Sequence, residues 1–217
     1  MFEIVRAGGW LMAPLILCSV LAAAIIIERL WTLQRKRVLP EGMSAKVWNW
    51  VEKGELDERH VQVLRDSSPL GRILSAGLAA RTRDRGIMKE QIEDTGRHVA
   101  HDLNRFLTTL GTIASISPLI GLLGTVVGMV RVFAAITANG VGNPTVLADG
   151  ISQALVTTAA GLSVAIPAVI GYRYLRNHVD SLVVDMEQEA TKLVDAIEAA
   201  RRPVRAVKGP QNTARTS

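Results

Sequence analysis

The chain has 217 residues, of which 48 % are hydrophobic and 21 % charged, with a formal net charge of +5 and a pI near 9.8. Residues 7–27, 106–130 and 150–172 form runs of 21, 25 and 23 residues without a single Asp, Glu, Lys or Arg, and about 20 apolar residues cross the hydrocarbon core of a bilayer. This distribution excludes a soluble globular enzyme as the default reading and excludes disorder; Cys18 is the one cysteine, so an intramolecular disulfide is excluded as well.

The first run, AGGWLMAPLILCSVLAAAIII, is longer than the apolar region of a secretory signal, and Glu28 and Arg29 follow where a small-residue cleavage site would stand. It reads as a retained transmembrane helix within a first segment, 1–31, bracketed by Trp10 and Trp31 at the two interfaces. Segment 32–105 is charged and helical in pattern. Val47, Trp48, Val51, Leu56 and Val63 lie on either side of Gly54. Ser67–Ser68–Pro69 marks a break followed by a helix start, because proline fits the first helical turn. Ile92, Val99, Leu103 and Phe106 recur at helical spacing and run into the second span, 106–133, with no loop signal between. A short connection, 134–149, leads to the third span, 150–172. Its helix is expected to continue through 173–202, where Leu175, Leu182, Met186, Leu193 and Ile197 recur helically; 203–217 reads as a disordered polar tail. The fold class expected is all-α: three transmembrane helices, the second and third extending as long cytoplasmic helices.

Flanking cations set the topology. Fourteen Lys/Arg lie between Arg35 and Arg105, and Arg173, Arg176 and six more follow the third span, whereas residues 134–149 hold none and the nine residues before Trp10 hold only Arg6. The N-terminus and the 134–149 turn are therefore assigned outside, and the middle segment and C-terminus to the cytoplasm. The excess positive charge is a topology signal. Binding to nucleic acid would call for a basic stripe with stacking aromatics; aromatics total 4 %, and no nucleic-acid partner is expected.

Spans two and three carry small residues in rows. Ser117, Gly121, Gly124 and Gly128 form one stripe, and Ala154, Thr158, Gly161 and Ala165 another; such rows let membrane helices approach closely. Thr108, Thr112, Ser115 and Thr125 in span two, and Ser152, Gln153, Thr157 and Thr158 in span three, are polar. Many such hydroxyls simply bond back to their own helix. A hydroxyl on each of two adjacent helices at similar depth can also line a narrow wet path. Pro118 and Pro167 lie inside these spans and tend to bend them.

Residues 116–129, ISPLIGLLGTVVGM, and 150–168, GISQALVTTAAGLSVAIPA, resemble the two signature helices of the ExbB/TolQ/MotA proton-channel family, the ExbB and TolQ branch above all. The order of parts agrees from about residue 5 to residue 200. The four-span MotA-type stators resemble it less. The resemblance implies a homo-pentamer in the bacterial inner membrane, with copies of an ExbD- or TolR-like single-span protein in its pore. That partner's aspartate would take and release protons. In the ExbB case the work passes through a TonB-like protein to import across the outer membrane; in the TolQ case it serves the envelope at division. The resemblance places Thr125 and Thr158 in the proton pathway, and Gln153 is expected to line it too; Gly121, Gly124, Gly128 and Gly161, by the spacing noted above, are expected to pack the helices, with lipid around the ring. No cofactor is expected. Where the family usually carries a glutamate, five residues before the third-span threonine, this chain has Gln153, which hydrogen-bonds but does not titrate. Either the partner's acid is the sole carrier, the reading adopted here, or the chain does not conduct, or its ion use differs.

An enzyme is not expected. His60, His98, His101 and His178 all lie outside the spans, and no nucleophile–base set is visible at membrane depth. His98 and His101, three apart, read as a solvated helix face and not as metal ligands. The rival from a different class is an inert membrane scaffold that keeps the stripes but needs no aligned hydroxyls.

Overall fold

The computed structural model describes residues 8–53, 57–139 and 144–201. Residues 1–7, Gly54, Leu56, residues 140–143 of the 134–149 connection, Arg202 and the 203–217 tail, on which expectations were stated above, lie outside the described residues. Among those described the chain is helical throughout, in the order α1 Met12–Thr32, α2 Arg35–Val38, α3 Met43–Lys53, α4 Glu58–Ser67, α5 Pro69–Ala79, α6 Arg85–Leu103, α7 Leu107–Asn139 and α8 Pro144–Arg201. Three of these are long and apolar enough to cross a membrane: α1, α7 and the first part of α8. The chain divides into two compact units, Met1–Gln34 with Ala100–Leu182, and Arg35–Val99 with Val183–Ser217.

In the first unit α1 packs on α7, and α7 runs against the first part of α8. Leu15, Leu107, Leu110, Ile113, Ala168, Leu175 and Val179 are buried there. Only 17 %, 22 % and 28 % of the apolar windows of α1, α7 and α8 are buried within the chain. Leu17, Val20, Leu122, Val130, Phe133, Leu155 and Ile170 are exposed, an apolar surface far larger than a water-soluble monomer tolerates. The expected continuity of the preceding helix with span two does not hold. α6 ends at Leu103, α7 begins at Leu107, and Phe106 between them has φ of +64°. The left-handed backbone there is a genuine break, because no bulky L-residue continues a right-handed helix through it. Two guanidinium groups approach the Phe106 ring, with Arg29 Cζ 5.3 Å and Arg105 Cζ 4.8 Å from its centroid, contacts that hold the ring in place. Arg29, almost fully buried, pairs with Glu28 at 2.6 Å. No such break follows span three: α8 continues to Arg201.

The second unit is a water-soluble type of core. Ser68 caps α5 by accepting from the Gly71 amide at 3.0 Å, with Pro69 in the first turn, the arrangement that serine followed by proline predicts. Val47, Leu70, Leu74, Leu78, Met88, Leu193 and Val194 are buried. Around them Arg85 reaches Glu198 at 2.6 Å and Asp195 at 3.4 Å, and Arg35 pairs with Asp185 at 3.0 Å. Lys192, 2.7 Å from Glu189, holds that carboxyl below the usual carboxylate range, and the Ser44 hydroxyl adds to the effect.

Candidate functional site: the α7–α8 seam

Small residues bring α7 and α8 into backbone contact. The buried line on α7 is Ser117, Gly121, Gly124, Gly128 and Val132, and the line facing it on α8 is Gly150, Ala154, Thr157, Gly161, Ala165 and Ala168. A methyl group built on Gly121 would lie 3.2 Å from Thr158 Cα, and one on Gly161 only 2.7 Å from the Ser117 carbonyl oxygen and 3.0 Å from Gly121 Cα. One on Gly128 would lie 2.8 Å from the Gly150 carbonyl oxygen, and one on Gly124 would collide with Thr157. All four glycines singled out in the sequence therefore lie in the seam. The α8 stripe read from the sequence is corrected at one step. The buried threonine is Thr157, with no exposed surface, while Thr158 sits half-buried at the seam's edge. Positions 154, 157, 161, 165 and 168 keep the three-and-four spacing of one helix face, and Thr158 is rotated off it by one residue.

The hydroxyls divide into two kinds. Thr112, Ser115, Ser117, Thr125 and Ser163 donate to carbonyls of their own helix; Thr125 Oγ1 does so to Leu122 O at 2.6 Å. Thr157 and Thr158 reach beyond theirs. Thr158 Oγ1 donates to Gly121 O across the seam at 3.0 Å. Thr157 Oγ1 lies 2.7 Å from Gln153 O and 3.1 Å from Gly8 O, sharing one proton between them and tying the chain that leads into α1 to the seam. Thr125 follows Gly124 directly and Thr158 follows Thr157, so both half-buried hydroxyls flank the same stretch of seam. With its proton given to a carbonyl, each leaves lone pairs free to accept from a water or a protonated acid.

Gln153 lies farther towards the turn between the helices. Its Oε1 accepts from Arg131 Nη1 of α7 at 2.7 Å, and its amide nitrogen is packed against Gly9, whose φ of +70° disfavours a side chain there. Sequence reasoning missed Arg131 as Gln153's partner, although a signal was present: Arg131 is the one Lys or Arg between residues 106 and 172. Among the described residues no group of three or more His, Cys, Asp or Glu is placed to hold a metal ion. His98 is 3.9 Å from Asp94 on its own helix.

Residues 65–188, which include the whole seam, match the model of the MotA/TolQ/ExbB proton channel family. An ExbB-like biopolymer transport protein of Synechocystis sp. is 35 % identical over 178 residues, 77 % of this chain and 67 % of that protein. The biopolymer transport protein exbB1 of Vibrio cholerae is 32 % identical over 186 residues, 82 % of this chain and 80 % of that protein. The Tol-Pal system protein TolQ of Haemophilus influenzae is 43 % identical over 76 residues, 35 % of this chain and 33 % of that protein. A glycine-packed helix pair with hydroxyls at its edge, three helices fit to cross a membrane and likeness to ExbB proteins over most of the length converge: the chain belongs to the MotA/TolQ/ExbB proton channel family.

Proposed function

We propose that the protein is an ExbB-like subunit of an inner-membrane motor, forming a homo-pentamer with an ExbD-like single-span partner in its pore. The motor couples the proton motive force, through a TonB-like protein, to import across the outer membrane. In this reading the N-terminus is periplasmic and the C-terminus cytoplasmic. Thr125 and Thr158, with Gln153 farther out, line the path, and Gly121, Gly124, Gly128 and Gly161 hold the walls together. The observation that carries the reading is the pair of half-buried hydroxyls beside the seam, each with its proton given to a carbonyl and its lone pairs open. Such acceptors favour the neutral, protonated form of a partner's carboxylic acid, since only that form donates. Rotating either hydroxyl to donate favours the ionised form, so one pair of residues serves both halves of a proton transfer.

The test is proton uptake by vesicles containing this chain and its single-span partner. Uptake that depends on both proteins and is lost when Thr125 and Thr158 become valine supports the reading. Uptake unchanged by the double substitution removes these two hydroxyls from the path, and no uptake with both proteins present leaves an inert helical scaffold. A TolQ-like role in the envelope motor is the second reading, favoured by the 43 % identity to TolQ over 76 residues. The neighbouring reading frames, TonB-type or Tol-type, separate the two.

A further inference from the structure

Gln153, the outermost of the residues proposed to line that path, also holds Arg131, and this pairing points to a second role for the two residues. The candidate span of α7 covers residues 107–137, a window that at about 1.5 Å per residue is longer than a hydrocarbon core of about 30 Å. Counted from the middle of the window, Arg131 stands about 13–14 Å out, where acyl chains give way to headgroups. Its side chain is exposed, and its neighbours Val130 and Phe133 are exposed apolar groups. A guanidinium at this depth needs an anion or water. Its partner, Gln153, is a neutral amide, and no carboxylate pairs with Arg131 among the described residues. Asp149 is the single acid between residues 106 and 172, and it forms no ion pair with Arg131 among the described residues. Gln153 is itself fixed against Gly9, so it orients the guanidinium by one N–H while the remaining donors stay in their planar fork.

We propose that Arg131, aligned by Gln153, binds the phosphate of a membrane phospholipid at the end of the spans where α7 turns towards α8. The fork matches two phosphate oxygens at once, which an ammonium does not. Val130, one residue nearer the middle of the span, lies where the same lipid's acyl chains begin. The site is separate from the basic cluster at the opposite end of the spans, formed by Arg29 and Arg105 around Phe106.

The experiment uses the full chain in phosphatidylcholine nanodiscs containing a minor fraction of phosphatidylglycerol that carries a photoactivatable group beside its phosphate. Crosslinked peptides are mapped by mass spectrometry. Labelling is expected around residues 126–137 and 150–155. It should fall about five-fold or more in Arg131→Gln and less in Arg131→Lys, which keeps the charge but loses the fork. It should fall about two-fold in Gln153→Ala, which frees the guanidinium to wander, while labelling beside Arg105 stays constant. No labelling around 126–137 and 150–155 in the unmodified protein, or equal labelling in Arg131→Gln, overturns the proposal. If Arg131→Gln does not assemble, the other two variants decide by the same criterion. Inorganic phosphate added at millimolar concentration is expected to leave labelling intact; competition that abolishes it assigns the site to a free anion and overturns the lipid assignment.

Discussion

The hydroxyl of Thr158 reaches the carbonyl oxygen of Gly121 on the facing helix at 3.0 Å, and the approach is possible because neither Gly121 nor Gly161 carries a side chain. One threonine thus reads both the packing of the two helices and the chemistry at their edge. Substitutions that alter packing and substitutions that alter polarity should separate.

Thr158→Val keeps the shape and removes the oxygen. In vesicles with the single-span partner it is expected to lower proton uptake at least about ten-fold, a barrier change near 1.4 kcal/mol, while leaving assembly size unchanged. Thr158→Ser keeps the hydroxyl and should retain most of the flux. Equal flux in all three proteins would refute a proton role for this residue.

Gly161→Val places two methyl groups against the Ser117 carbonyl and the Gly121 backbone. Overpacking of this kind costs about 1–3 kcal/mol. The variant should unfold at lower denaturant and yield less assembled protein, as measured by denaturant titration and by size exclusion in detergent.

Thr157→Val removes the bond to Gly8 without changing side-chain volume much. Hydrogen bonds between membrane helices are worth about 0.6 kcal/mol on average and about 1.7 at most. A loss within that range in a detergent unfolding titration is expected, and a larger one would mean that Thr157 does more than tie Gly8 to the seam.

In the second unit, Leu74→Ala and Arg85→Ala should differ sharply. Leu74 is fully buried, and removing it opens a cavity at about 2–5 kcal/mol. Arg85 is half-exposed, and its pairs with Asp195 and Glu198 are worth about 0–1 kcal/mol in solvent. Thermal melts of the two full-length variants would compare them directly.

Much of the architecture was legible in the residues alone. Uncharged runs of membrane length predict helices at α1, α7 and α8, because in hydrocarbon a chain must satisfy its own backbone groups. Ser68–Pro69 marks the start of α5 by cap chemistry, and the small-residue rows predict a close seam. These are local signals, readable from composition and spacing. Three features were set only by tertiary structure. The phase that buries Thr157 and leaves Thr158 at the edge follows from how α8 rotates against Gly121 and Gly124, which two adjacent threonines cannot announce. The break at Phe106 coincides with the Arg29 and Arg105 guanidiniums on its ring, and Arg29 is supplied by another helix. The pairing of Arg131 with Gln153 joins residues 22 apart in sequence through a helical hairpin that sets their register. In each case the deciding contact lies across a helix–helix interface, where periodicity within a single helix carries no information.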